Sequence, residues 1–359
     1  MKKLDLYIFK KFIGTFFFAI SMLVLVVIII DLSENIDSFL KNNAPWQRVL
    51  VDYYLLCIPY YINLFIHLFA FIAVVFFTSK MAARTEVVAI LSSGVSFWRF
   101  LVPYMVAALT IALMSLYFGN FLVPKTNEIR RRFKDEYMER LTQSAGRNVH
   151  VQIGKDEFVY VETYHHGKEQ GYRFSWEKYE DSELKVKMLG DIFTHDTSMA
   201  NRWIIDPYAT RYIEGDTERL VTGRYLDTVM NLVSADLYKT KEDFEEMDFF
   251  ELRDHIANMK SKGSEGVRAY EVEMHQRMSS PAAVLVLTLI GAALSSRKVR
   301  GGIGMHLGIG ITIAFAYILF MQVSKSFAIS GGLSPFLAAW IPNLIFLALG
   351  MVLLKRAPK

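Results

Sequence analysis

Five cations fall within one short stretch, Lys125, Arg130, Arg131, Arg132 and Lys134, and a guanidinium is well built to hold a phosphate through two parallel hydrogen bonds. Glu128, Asp135, Glu136 and Glu139 lie among them at helical spacing, so a solvated helix with internal ion pairs is the plainer reading. Earlier in the chain, Arg84 and Glu86 precede Val87, Ile90 and Leu91, three apolar residues on about one helical face. Such a face needs a protein groove or a lipid surface to cover it. Glu86 at its head can pair with a basic group on a protein partner.

Other candidates are weaker. Asn63 and His67 stand four residues apart in an apolar run and share a helix face; polar groups at membrane depth invite a functional reading, but one interhelical hydrogen bond explains both. Gly304 and Gly308 form a small-xxx-small pair, continued by Gly310 and Ala314, of the kind that lets two helices approach closely. His150, His165, His166, His195 and His255 lack metal-ligand spacing, no G-x-S-x-G frame occurs, and there is no P-loop. The cluster Gly301-Gly302-Ile303-Gly304 fails the dinucleotide spacing and follows no strand. We therefore expect no catalytic residue, no metal and no cofactor bound by this chain, and no enzyme activity of its own.

These residues must be positioned by elements of two kinds. The chain is 53% hydrophobic yet 21% charged, and the charge is segregated, mostly between Lys125 and Met274. Apolar stretches of membrane length are expected at Phe12 to Ile30, Tyr53 to Thr78, Phe100 to Val123, Pro281 to Leu294 (starting near Glu273), Ile303 to Val323 and Phe336 to Leu354. The first run follows Lys2, Lys3, Lys10 and Lys11 as a signal peptide would, but it is too long and lacks a small-residue cleavage site, so a retained helix is expected. Lys80, Arg84 and Arg99, then Arg297, Lys298 and Arg300, then Lys355, Arg356 and Lys359 fall on the same side as those lysines. That side is read as cytoplasmic, with both termini inside. The loop Asp31 to Trp46, the charged middle and the turn Ser330 to Pro335 then face the other side.

The middle segment opens with a charged helix, Thr126 to Leu141, and then changes period. Val149, Val151 and Ile153; Phe158, Tyr160 and Glu162; Tyr172, Phe174 and Trp176; and Leu184, Val186 and Met188 alternate as half-buried strands do. Turns at Gly154-Lys155-Asp156, His166-Gly167-Lys168 and Ser198 to Asn201 separate them. Phe249 to Lys260 reads as an amphipathic helix ended by Lys262-Gly263-Ser264. The single cysteine, Cys57, lies in an apolar span, so the strands must be held by a packed core and not by a disulfide. Net charge is only +4, and no basic stripe with interleaved aromatics points to nucleic acid.

Ser79-Lys80-Met81-Ala82-Ala83-Arg84-Thr85-Glu86-Val87-Val88-Ala89-Ile90-Leu91-Ser92-Ser93-Gly94-Val95-Ser96 resembles the cytoplasmic loop of the LptF/LptG family of permeases, which extract lipopolysaccharide from the inner membrane. His275 to Pro281, Arg300-Gly301-Gly302 and Ala338-Ala339-Trp340-Ile341-Pro342-Asn343 resemble the family's returning helices. Asp31, the Asp156 to Glu162 strand and the Phe249 to Gly266 segment look more like its LptG branch. The resemblance implies an α-helical membrane protein with six transmembrane helices, three plus three, and an inserted all-β periplasmic jellyroll-like domain. Its parts would be residues 1–124 with a coupling helix at 79–91, 125–272, and 273–359.

It also implies partners and sites. Arg84, Glu86, Val87 and Leu91 would plug into an LptB-like ATPase dimer, which uses the ATP and magnesium. Arg130, Arg131 and Lys134 would hold lipopolysaccharide phosphates. Gly14, Gly304 and Gly308 would line a lateral gate made with an LptF-like permease, and an LptC-like bitopic protein would receive the lipid. Where some relatives carry a lysine in the outer first helix, this chain has Val27, Ile28 and Ile29, leaving Lys41 or Lys325 as substitutes; where the family usually has a proline, it has His67. A lipoprotein-release-type permease, which places one helix before its soluble domain, and a non-transporting scaffold or sensor are the alternatives.

Overall fold

The computed structural model describes residues 3–138, 145–165, 168–181, 183–196, 201–215, 217–234, 237, 243–262, 266–299 and 301–356. The expected turns at His166-Gly167 and Ser198 to Ala200, the break at Gly263-Ser264, and Lys2, Glu139, Leu141, Arg300 and Lys359 lie outside them. The chain folds as two compact units, Met1–Arg131 with Arg268–Lys359, and Arg132–Val267.

Among the described residues, six helices of the first unit are long and apolar enough to cross a bilayer. They are α1 (Lys3–Lys41), α2 (Trp46–Ala83), α4 (Phe97–Tyr137, whose end enters the second unit), α6 (Val267–Ser295), α7 (Gly302–Ile329) and α8 (Pro335–Lys355). A short α3 (Glu86–Ser92) joins α2 to α4. In lipid every backbone polar group must be satisfied within the segment, and a helix does this. The 39 residues of α1 span about 58 Å, well beyond a hydrocarbon core of about 30 Å. Hence Asp31 to Lys41, expected as loop, is helix. Nothing there breaks it until Asn43, which takes a positive φ of 51°, and Pro45.

The charged helix expected at Thr126 to Leu141 is likewise no separate element, because α4 runs into it without interruption as far as Tyr137. Proline placement explains how. Pro124 crowds the carbonyl four residues earlier, at Asn120, and the helix widens into π-type turns over Phe118–Leu122. Pro59 repeats the device: its crowded carbonyl belongs to Leu55, the last residue of a widened stretch at Val49–Leu55.

Ile8, Phe12, Phe16 and Ile20 form a stripe at four-residue spacing on α1, packed with Ile66, Ala70, Ala73, Val74 and Phe77 of α2 and with Phe100, Tyr104, Ala107 and Ile111 of α4. A second cluster joins the opposite side of α2, at Phe71 and Val75, to Ala283, Leu287 and Ile290 of α6, Tyr317 of α7 and Phe346 of α8. Of the most apolar window of each helix, 67% is buried in α6 but only 17% in α1 and 22% in α7. So α1 and α7 keep broad apolar faces open.

The second unit holds a seven-stranded antiparallel sheet. Its strands are β1 (Ala145–Gly154), β2 (Glu157–His165), β3 (Gln170–Glu180), β4 (Glu183–His195), β5 (Arg202–Glu214), β6 (Thr217–Gly223) and β7 (Leu226–Val229). They pair in sequence order from β1 to β6, with β7 on β5. Register places Val149 opposite Val161 and Val161 opposite Phe174, with Val151, Val159 and Trp176 in the next inward row. This corrects the expected face of β2. Val159 and Val161 are buried while Phe158 is 41% exposed, because pairing on both sides aligns the valines with the apolar rows of β1 and β3.

An irregular row crosses the sheet through Asn148, Glu162, Arg173, Asp191 and Pro207. Asn148 and Arg173 have positive φ, and Arg173 Nη1 grips Glu162 at 2.7 Å. Across that row the inward set changes parity: Val161 to Tyr164, Phe174 to Gly171, Gly190 to Phe193, Tyr208 to Ile205. The result is one continuous core on two halves of a creased sheet. Phe174 stacks on Phe193 at 4.4 Å and Phe193 on Trp203 at 4.1 Å. Gly190 permits this approach, since any Cβ there would run into Ile205. Trp203 Nε1 donates to the Leu232 carbonyl at 2.8 Å, so the segment after β7 covers the core.

α5 (Phe249–Lys262) forms where the amphipathic pattern predicts it. Asp248 Oδ1 accepts from the Phe250 and Glu251 amides at 2.8 and 2.9 Å, and Glu251 Oε2 accepts from the Asp248 amide at 2.9 Å. That reciprocal capping box fixes its start.

Candidate functional site

The first constellation lies where α1, α2, α3 and α4 begin or end together. α2 stops at Ala83, exposed Arg84 and Thr85 break the path with a φ of 60° at Thr85, and α3 starts at Glu86. The continuous helix expected at 79–91 is thus two helices with a bend. Val87 is fully buried in the α1–α2–α4 core, and Ile90 and Leu91 pack against it. The groove that this apolar face needs is supplied by the chain itself. Outward-facing apolar residues here are Val88, 54% exposed, and Trp98, 66% exposed. Glu86 Oε2 accepts a hydrogen bond from Tyr7 Oη at 3.3 Å. Beside it Arg99 Nη2 meets Asp5 Oδ2 at 2.7 Å, with the Asp5 side chain 9% exposed. Ser96 Oγ caps α4 by accepting from the Arg99 amide.

Sequence reasoning missed Asp5, Tyr7 and Arg99. The one available signal was an acid amid lysines at the head of an apolar helix, and a separation of 94 residues hides its partner.

The second constellation sits on the far part of α4. Arg130 lays its guanidinium over the Tyr60 ring of α2, 5.1 Å from its centroid, a cation–π contact that fixes the head group without spending its hydrogen-bond donors. Arg131 and Lys134 are half-buried and Arg132 is exposed; all are on the same helix. Nearby on α1 and α2, Tyr53 Oη donates to Asp31 Oδ1 at 3.2 Å. Of the two proposed substitute cations, Lys325 pairs with Glu273 at 3.7 Å, which also takes Arg277 Nε at 3.2 Å, whereas Lys41 is exposed at the end of α1.

Among the described residues Gly14, Gly304 and Gly308 form no close helix crossing: a Cβ on any of them would meet no atom of another segment within 4 Å. Close packing within the unit uses other glycines. A Cβ added to Gly291 would come within 3.1 Å of Phe71 and Val74, and one added to Gly310 within 3.3 Å of Val75. Asn63 accepts from Ser115 Oγ at 3.1 Å, an interhelical bond that accounts for Asn63 but not for His67. His67 is buried edge-on to Tyr317, 5.9 Å between ring centroids, and Tyr317 Oη donates to Asn343 Oδ1 at 2.9 Å while Asn343 Nδ2 donates to the Ser279 carbonyl at 3.0 Å. Four helices share this polar chain.

Comparison with known proteins gives a consistent picture. The sequence matches the family described as "Lipopolysaccharide export system permease LptF/LptG" over residues 6–356. It is 23% identical over 375 residues to the lipopolysaccharide export system permease protein LptG of Escherichia coli strain K12, covering 98% of each chain. It is 21% identical over 372 residues to the protein of the same description from Haemophilus influenzae, again covering 98% of each.

Proposed function

This chain belongs to the LptF/LptG family of lipopolysaccharide export permeases, and from that premise we propose how its own residues serve export. It is a multi-pass membrane protein of the lipopolysaccharide export system. In our reading it resides in the inner membrane with both termini in the cytoplasm and the β unit in the periplasm. It pairs with an LptF-like permease, and two LptB-like ATPase subunits hydrolyse ATP for it.

The observation that carries the reading is the open face of α1 and α7 around Gly14, Gly304 and Gly308. A second permease seated there would complete a cavity with a lateral entrance, since small residues let backbones close up and separate with little repacking. Acyl chains would lie on the apolar helix faces. Phosphates would meet Arg130, Arg131 and Lys134, with Arg130 pre-set by Tyr60. Arg84 and Glu86 would face the ATPase, joined by Val88 and Trp98, while Val87 and Leu91 anchor α3 from beneath. The sheet would then pass the lipid to an LptC-like strand partner by edge pairing.

In cells depleted of the native chain, Glu86→Ala and Arg131→Glu should each fail to restore surface lipopolysaccharide. Full restoration by both would remove these residues from the mechanism. Labelling from the periplasmic side should reach the Gly154 to Asp227 region; labelling only from the cytosol would reverse the topology.

A further inference from the structure

We propose that α1 is the helix the docking segment moves, through two polar ties that make its first turns part of the same rigid foot as α3; this rests on the reading that α3 docks the ATPase. The first tie is Asp5 Oδ2 to Arg99 Nη2 at 2.7 Å and the second is Tyr7 Oη to Glu86 Oε2 at 3.3 Å. Both cross between segments far apart in sequence, and both stand on the same apolar floor, where Ile8 and Phe12 of α1 pack with Met81, Val87, Phe97 and Phe100.

The ties are directional because of what they omit. Among the described residues, Tyr7–Glu86 is the sole side-chain hydrogen bond from α3 to another helix, and none reaches α7 or α8. α7 is instead held by Tyr317 to α8, and through Asn343 to α6. A displacement of α3 therefore carries the head of α1, whose open face bears Gly14, directly through these ties, whereas it reaches α7 only by way of α2, through the apolar packing of Phe71 and Val75 on Ala314 and Tyr317. Asp5 is suited to the task. Its side chain is only 9% exposed, so the 2.7 Å contact with Arg99 is an ion pair largely shielded from water, and breaking it costs more than breaking an exposed pair. Glu86 then has two roles on two oxygens, Oε2 for Tyr7 and the other toward the docked partner. Asp5, Tyr7 and Arg99 act as positioning residues and touch no substrate.

The test uses the full complex in vesicles. In a Cys57→Ser background, spin labels at Leu6 and Val88 report the α1–α3 distance, and labels at Val88 and Met305 the α3–α7 distance, with and without ATP. The first should hold constant while the second changes. In the Asp5→Asn/Tyr7→Phe double variant, ATP hydrolysis should stay near wild type while lipopolysaccharide released per ATP falls about tenfold, and the exchange Asp5→Arg/Arg99→Asp should recover most of what either single change loses. A nucleotide-dependent shift between Leu6 and Val88, or undiminished release per ATP in a normally inserted double variant, overturns the tie and leaves docking intact. No shift in either pair overturns docking and the tie together.

Discussion

In the β unit the interior is aromatic, with Phe174, Phe193 and Trp203 stacked beneath Leu232, and the charged pairs such as Lys187–Glu177 and Arg202–Asp227 lie outside. In the helical unit the outside is apolar, with Met22, Leu25 and Ile29 more than half exposed, while Ser115–Asn63, Thr78–Tyr104 and Tyr317–Asn343 face inward. The difference teaches what each solvent demands. Water drives apolar groups together, so the sheet needs a stacked core. Lipid gives no such drive between apolar faces, and inward polar bonds with close small-residue packing take over the task of fixing which helix sits where.

Four experiments probe that contrast. Trp203→Ala removes a stack and the bond to the Leu232 carbonyl, and should destabilise the β unit by about 3–5 kcal/mol, read as loss of amide protection across the sheet with the helices unaffected. Met22→Asp and Leu220→Asp change two exposed apolar residues, 55% and 65% exposed. The first should cost insertion about 3 kcal/mol if α1 lies in lipid, and the second should stay within about 0.5 kcal/mol in water; equal effects in an insertion and melting assay would erase the distinction.

Asn343→Leu breaks both bonds of the α6–α7–α8 chain and should lower the melting free energy in detergent by about 1 kcal/mol, with Tyr317→Phe smaller because it removes only one. Smallest is a pH effect. The ammonium of Lys187, hydrogen-bonded at 2.8 Å, holds the Glu177 carboxyl below its usual range. That pairing therefore stabilises the sheet above the unfolded carboxyl's pKa and is lost as pH falls through the lower folded one. Lys187→Met should flatten the acid limb of the melting profile.

Much of the architecture was legible because its signals are local. Six apolar runs, a period-two middle and a Phe249-led amphipathic helix each state their structure within a few turns of chain. Two of the errors came where a proline or a pairing partner decided the outcome, and a third where Thr85 took a left-handed φ of 60° and split the helix expected at 79–91. Pro124 reads as a break, yet a widened turn at Phe118–Leu122 carries α4 through it; alternation fits either face of β2, and only the registers with β1 and β3 chose the valines. Of the candidate site, the cations of α4 were readable as a cluster. Their environment was not, since Tyr60 lies 70 residues from Arg130.

The sequence by itself determined that this chain crosses a membrane around a β insertion and belongs to a lipopolysaccharide export family, because length, hydropathy and motif spacing are properties of neighbours along the chain. Only the tertiary structure decided that Val87 turns inward, that Gly14, Gly304 and Gly308 stay open, and that Asp5 closes on Arg99. Each of these depends on which distant segment comes to lie alongside, and burial and pairing energies become definite only once it does.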